Sequence, residues 1–353
     1  MVRPAPESVT VFEPGGTPYA CFRIPAIVRS GGDLLAFCEG RRDSAADSGP
    51  IDIVLRRSGD QGRTWDPLQV IATAADHTVG NPAPVAAADT VVLLSVQNPA
   101  ALDEADILAG RGSRRVFVQT SGDNGRTFSA PRDITGSAKR PDWGWYATGP
   151  GHGIALADGR LLVPANHSVL PTNGKPATPN VYGGHCVISD DSGATWRIGF
   201  AQNDSGEQIN PNETTAARLP NGRVYFNARN QQGSAPGTRV DAYSSDGGET
   251  LDGDYRPQPG IHTPMVQGSV LQSEAGALLY SGPTGSERRR MGIRASSDGG
   301  RTWIPVAEFE DSPAGYSDLV LVDRDQIGIL YETGTASPYE AIRFRSLGLA
   351  ELT

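Results

Sequence analysis

Three cysteines in 353 residues, Cys21, Cys38 and Cys186, are an odd number without metal-type spacing, which excludes a disulfide framework and a cysteine-based zinc site. No 18 apolar residues run together, and the N-terminal MVRPAPESVT has no apolar h-region. Neither a membrane span nor a signal peptide is therefore predicted, and the expected location is the cytoplasm, or outside the cell after removal of a leader. A basic balance is also missing. The net charge of −9 argues against a nucleic-acid partner and against adhesion to an anionic membrane, so an anionic small ligand would need a local cluster of arginines. Charge runs and low-complexity tracts are absent as well, which argues against disorder.

What is abundant is turn-forming residues, with Gly 43 and Pro 27, and they fall into two repeats. The pattern S-x-D-x-G-x-T-aromatic occurs as SGDQGRTW from Ser58, SGDNGRTF from Ser121, SDDSGATW from Ser189 and SSDGGRTW from Ser296, with a degenerate copy, SSDGGETL, from Ser244. The aspartates at 60, 123, 191, 246 and 298 are spaced by 63, 68, 55 and 52 residues. Each box follows an apolar run such as IDIVLRR, and Asp and Gly tolerate tight-turn geometry, so each reads as a hairpin turn without chemistry of its own. Independently, a turn followed by an apolar strand recurs six times: GGDLLAF, ADTVVLLSV, DGRLLVPA, NGRVYFNA, AGALLYSG and RDQIGILY. No segment sustains a 3.6-residue period, which excludes a helical solenoid. Together the repeats predict an all-β fold, a six-bladed β-propeller of four-stranded antiparallel blades, with residues 1–353 as one domain.

The stretch CFRIPAIV, residues 21 to 28, places an arginine in a strand that otherwise reads as dry. A buried guanidinium costs several kcal/mol unless an anion meets it. Inner strands of a propeller open onto one central mouth, and aligning the six units on their turns brings Arg23, Asn81, His152, Glu213, Gln267 and Tyr316 to that mouth. The ends of the second strands return to the same place and add Glu39-Gly40-Arg41, Gln97-Asn98, Asn166-His167, Ala228-Arg229 and Tyr331-Glu332.

FRIP (Phe22–Pro25), the Asp boxes, NAR (Asn227–Arg229), Arg294 ahead of the last box and GYSDLVL (Gly315–Leu321) resemble the bacterial-type exo-α-sialidases of glycoside hydrolase family 33, over roughly residues 9 to 347. The resemblance implies that Arg23, Arg229 and Arg294 bind the carboxylate on C2 of sialic acid, a task that suits guanidinium forks. It implies that Glu332 braces Arg23, that Tyr316 is the nucleophile and that Glu213 takes its proton. Sialidases are the known tyrosine exception among glycosidases; a neutral phenol escapes the repulsion an attacking carboxylate would meet from the substrate's own. Asp47 matches the general acid/base, although Asp43 shares its loop. Arg41 would border O4, and Asn81 stands where relatives carry Asp or Asn. Trp143, Trp145 and Tyr146 would line the N-acetyl pocket or pack beneath the blade, and the loop 166–185 would cover the glycerol side.

The implied activity is retaining hydrolysis of terminal α-linked sialic acid from glycoconjugates through a tyrosyl-enzyme intermediate, with no metal or cofactor. Three alternatives stay open: the same mechanism on a related ulosonic acid such as KDN or Kdo, transfer rather than hydrolysis, and a non-catalytic Asp-box propeller that binds glycan.

Overall fold

The computed structural model describes residues 8–87, 89–171, 181–203 and 208–352. Among them the chain forms an all-β propeller in which 25 strands are accompanied by two α-helices of five and four residues. Sheets that follow one another in the sequence are neighbours in space, and the first and last also touch through Cys21–Ser30 and Ala314–Leu321. The N-terminal strand Val9–Phe12 closes the circle by pairing antiparallel with Ala341–Gly348 of the last sheet.

The blade count differs from the six expected. Hydrogen bonding gives five sheets: three of four strands, one of five and one of eight. In the eight-stranded sheet, two successive meanders are fused where Ile51 pairs in parallel with Thr78. Each meander reads as a separate unit in the sequence, and one parallel bridge leaves no periodic signature.

The turns do what their residues suggest. In the box at Ser58, Asp60 accepts from Ser58 Oγ at 2.8 Å and Thr64 Oγ1 at 2.6 Å, while Gly62 N donates to Ser58 Oγ at 2.8 Å. The degenerate box keeps that geometry through Ser244, Asp246 and Thr250, so the aromatic it lacks is not needed to form the turn. Between sheets the space is filled by apolar side chains. Leu94, Val96 and Val118 meet Trp143, Tyr146 and Val163, and each such fully buried Val or Leu contributes about 1.5–3 kcal/mol.

Five of the six inner strands share one irregularity that positions the site, and only Ser269–Gln272 pairs without it among the described residues. Their ladders slip between Arg23 and Ala26, Gly80 and Ala83, Trp143 and Tyr146, Pro211 and Thr214, and Ala314 and Ser317. Such β-bulges bend the strand and re-aim its side chains. Two put a non-glycine residue at positive φ, Ile24 at 60° and Asn81 at 52°.

Candidate active site

The bulges converge on a cavity of about 240 Å³ lined chiefly by charged and polar side chains. Of the residues singled out in the sequence, Arg23, Arg41, Asp47, Asn81, Glu213, Arg229 and Tyr316 line it.

Arg23, 5% exposed, donates from Nε to Glu332 Oε1 at 3.1 Å and from Nη2 to Glu332 Oε2 at 3.3 Å. The fully buried Glu332 also accepts from the backbone N–H of Ile24 and of Tyr316, each at 3.0 Å. One carboxylate thus holds the arginine and the two bulged backbones on either side. Burial alone would lower the Arg23 pKa, but Glu332, Tyr316 and Asp47 more than reverse that and raise it. The space is exact: a Cβ on Gly315 would lie 2.2 Å from Glu332 Oε2.

The same device recurs one unit further on. Glu39 accepts from Arg41 Nη2 at 2.7 Å and from the backbone N–H of Asn81 at 2.8 Å, and a Cβ on Gly80 would lie 2.4 Å from Glu39 Oε1. Asp47 reaches over this pair, 2.7 Å from Arg41 Nη2 and 3.6 Å from Arg23 Nη1, with its side chain 64% exposed at the rim. Partial desolvation would raise its carboxyl, but the two arginines hold it below the ordinary value.

On the far wall Tyr316 Oη donates to Glu213 Oε1, and Glu213 Oε2 lies 3.0 Å from Arg229 Nη1. Burial and the Glu213 charge push the Tyr316 phenol well above its ordinary value, while Arg229 and Arg23 pull against them. The arrangement is a phenol with a proton acceptor in contact and two guanidinium groups nearby.

Arg294 departs from expectation. It lies mid-strand opposite Tyr280, donates to His262 O at 2.8 Å and does not line the cavity. Arg288 does, held by Tyr339 Oη at 2.8 Å and Met265 O at 3.3 Å, with its Cζ 5.9 Å from the Tyr316 ring centre. It forms no ion pair among the described residues. His152 and Gln267 are also outside the cavity, buried beneath its floor. Trp143 and Tyr146 pack in the core, whereas Trp145 faces the cavity. Residues 172–180 of the loop expected over the glycerol side lie outside the described residues.

Sequence reasoning missed Glu104, Arg114, Asn212, Gln231 and Tyr339, which line the cavity too. Arg114, 3% exposed, donates to Asn81 Oδ1 at 2.7 Å and Asn98 Oδ1 at 3.1 Å, and its Cζ lies 3.4 Å from the Trp145 ring centre. Burial brings it down to about 10, only partly offset by Glu39, Glu104 and Asp47. Arg114 follows a short helix rather than a turn-strand unit, so the repeat alignment had no place for it. Glu104, on that helix, accepts from Tyr182 Oη at 2.7 Å, and burial raises its carboxyl.

Comparison with known proteins bears on this site. Residues 32–329 match the model of the BNR repeat-like domain family. The chain is 30% identical to an exo-alpha-sialidase of Aspergillus fumigatus across 95% of its own length and 86% of the relative's. It is 31% identical to a sialidase of Micromonospora viridifaciens, covering 93% of this chain and about half, 52%, of that longer protein. Among solved structures, the Hadza microbial sialidase Hz136 superposes with a TM-score of 0.80 at 26% identity, over 95% of this chain and 67% of that one. An intramolecular trans-sialidase of Ruminococcus gnavus shares the fold, with a TM-score of 0.79 at 17% identity over 98% of both chains. With a family match spanning most of the sequence and a relative 30% identical over most of both chains, the chain belongs to the BNR-repeat sialidase family.

Proposed function

We propose that the protein is a retaining exo-α-sialidase that hydrolyses terminal α-linked sialic acid through a tyrosyl intermediate. The observation that carries this reading is the Tyr316–Glu213 hydrogen bond set between Arg229 and Arg23. Arg23, Arg229 and Arg288 receive the substrate carboxylate; Arg288 takes the place the resemblance gave to Arg294. A cavity this small suits one sugar residue rather than a chain.

In the first step Tyr316 Oη attacks C2 and passes its proton to Glu213, while the bond from C2 to the glycosidic oxygen breaks and Asp47 protonates that oxygen. In the second, Asp47 takes a proton from water, the hydroxide oxygen bonds to C2, and the C2–Oη bond breaks as Glu213 returns the proton to Tyr316. The phenol starts as a poor nucleophile, so removal of its proton during attack is essential. Asp47 starts ionised and must gain a proton. Substrate binding favours this in two ways: its carboxylate neutralises the charge of Arg23, and the aglycone strips water from the rim.

Turnover of an aryl α-sialoside by wild type and Tyr316→Phe tests the reading. The variant should lose about 10³-fold or more in kcat with its fold intact, and wild-type-like turnover would sink it. Analysis of products with lactose as acceptor separates hydrolysis from transfer.

One observation favours a second reading, the same mechanism acting on a 5-hydroxy ulosonic acid such as KDN or Kdo. C5 lies across the ring from C2, so its substituent points away from the carboxylate-binding arginines, toward Asn81, Arg114 and Trp145. There the Arg114 guanidinium lies against the indole face that an acetamido methyl would use. A hydrogen-bonding wall of this kind suits a hydroxyl. Comparing aryl glycosides of the three sugars decides between the readings.

A further inference from the structure

Below the nucleophile, the structure contains a buried polar plug that the mechanism above does not use. Asp318, two residues beyond Tyr316 on the same inner strand, is fully buried. Its Oδ2 accepts from Ile27 N at 2.8 Å and His152 N at 3.1 Å; its Oδ1 accepts from His152 Nδ1 at 2.8 Å, Ser269 Oγ at 2.7 Å and Leu319 N at 3.2 Å. These donors belong to four separate stretches of chain around the axis, among them the strand that carries Arg23. Five donors on one side chain exceed what an ordinary strand position needs.

The local backbone explains why such a plug is required. The ladder slips between Ala314 and Ser317, so Tyr316 sits where strand pairing does not fix the chain. Side chains replace the missing pairing. Glu332 accepts from Tyr316 N at 3.0 Å, while Gln267 accepts from Ser317 N and donates to Ser317 O, each at 3.0 Å. Asp318 completes the clamp by tying the following residue to the Arg23 strand.

We infer that Asp318 is a positioning residue for the nucleophile, setting the reach of Tyr316 to C2 against a carboxylate held at Arg23. The inference rests on the sialidase reading. Its effect falls on bond formation and not on carboxylate binding, because Glu332 secures Arg23 independently. A displacement of the order of 1 Å at a reacting group costs about 10²-fold.

The test follows labelling of Tyr316 by 2,3-difluorosialic acid, read by intact mass and peptide mapping, beside the inhibition constant of a 2,3-unsaturated sialic acid. In folded Asp318→Asn, the labelling rate and kcat should each fall about 10- to 100-fold, while the inhibition constant changes less than about threefold. Ser269→Ala, which removes one donor, should shift the same quantities in the same direction by a smaller factor, and it decides the matter if Asp318→Asn does not fold. Labelling unchanged in whichever variant folds, or inhibitor affinity lost in step with labelling, overturns the inference. Wild type that labels at no tyrosine overturns the reading of the site itself, and this inference with it.

Discussion

Replacing Glu332 with Gln keeps the shape of a fully buried side chain but removes the charge that faces Arg23. The carboxylate accepts four hydrogen bonds, two from Arg23 and one each from Ile24 N and Tyr316 N. A glutamine has one accepting oxygen, so its amide group meets donors. The remaining anion, Asp47, is 3.6 Å away and 64% exposed, so it compensates little. Removing one partner of a buried ion pair costs about 3–5 kcal/mol. With about 2.1 cal/mol/K of unfolding entropy per residue, a chain of this length has roughly 0.7 kcal/mol/K, and the melting temperature should fall by roughly 4–7 °C. Differential scanning fluorimetry without ligand measures that fall. The same titration with a 2,3-unsaturated sialic acid carries the sharper expectation. Its carboxylate supplies the missing negative charge, so saturating ligand should raise the melting temperature of Glu332→Gln by more than it raises that of wild type. A variant that melts within about 1 °C of wild type, or that gains less from the ligand, refutes the argument that Glu332 compensates Arg23 in the empty site.

Three further outcomes are expected. Arg288→Ala should raise KM for an aryl sialoside about 30-fold or more, in the range for loss of one member of a desolvated charge pair, whereas Arg294→Ala should stay within about threefold; steady-state kinetics on both checks the assignment. Arg114→Met should shift the ratio of kcat/KM between 5-acetamido and 5-hydroxy substrates toward the acetamido sugar by about tenfold, one good hydrogen bond to a charged group; an unchanged ratio removes Arg114 from recognition. Burial alone would lower His152, but Asp318 more than offsets it and holds the imidazolium above 6.5. That pair's contribution to stability is therefore complete below pH 6.5 and lost as pH rises through the folded value; melting curves across that range should slope for wild type and flatten for His152→Gln.

Much of the site was legible because turns and inner strands keep a regular distance. Counting back from the turns reached Arg23, Asn81, Glu213 and Tyr316, all on bulges that line the cavity. The same count failed where the inner strand is broken or short. In the five-stranded sheet the inner edge divides into Trp143–Thr148 and Ile154–Ala155, and His152 falls in the gap. Ser269–Gln272 has four residues, and Gln267 precedes it. Arg294 was assigned through the resemblance, as the arginine ahead of the last box, but the guanidinium that lines the cavity is that of Arg288, in the loop before that strand. Fusion of the first two meanders rests on a single residue pair, Ile51 with Thr78, which no hydrophobic pattern encodes.

The slipped ladders have a consequence for how such a pocket can change. At four of them a side chain facing the cavity, that of Asn81, Trp145, Glu213 or Tyr316, is carried by a residue without a ladder partner, so a substitution there breaks no strand pairing. The segment around Asn81 and the one around Trp145 can therefore be rewritten for a different ring substituent while Tyr316 and Glu213 stay in place across the axis. Recognition and bond cleavage become separately adjustable sectors of one wheel, and a new substrate can be acquired without rebuilding the chemistry.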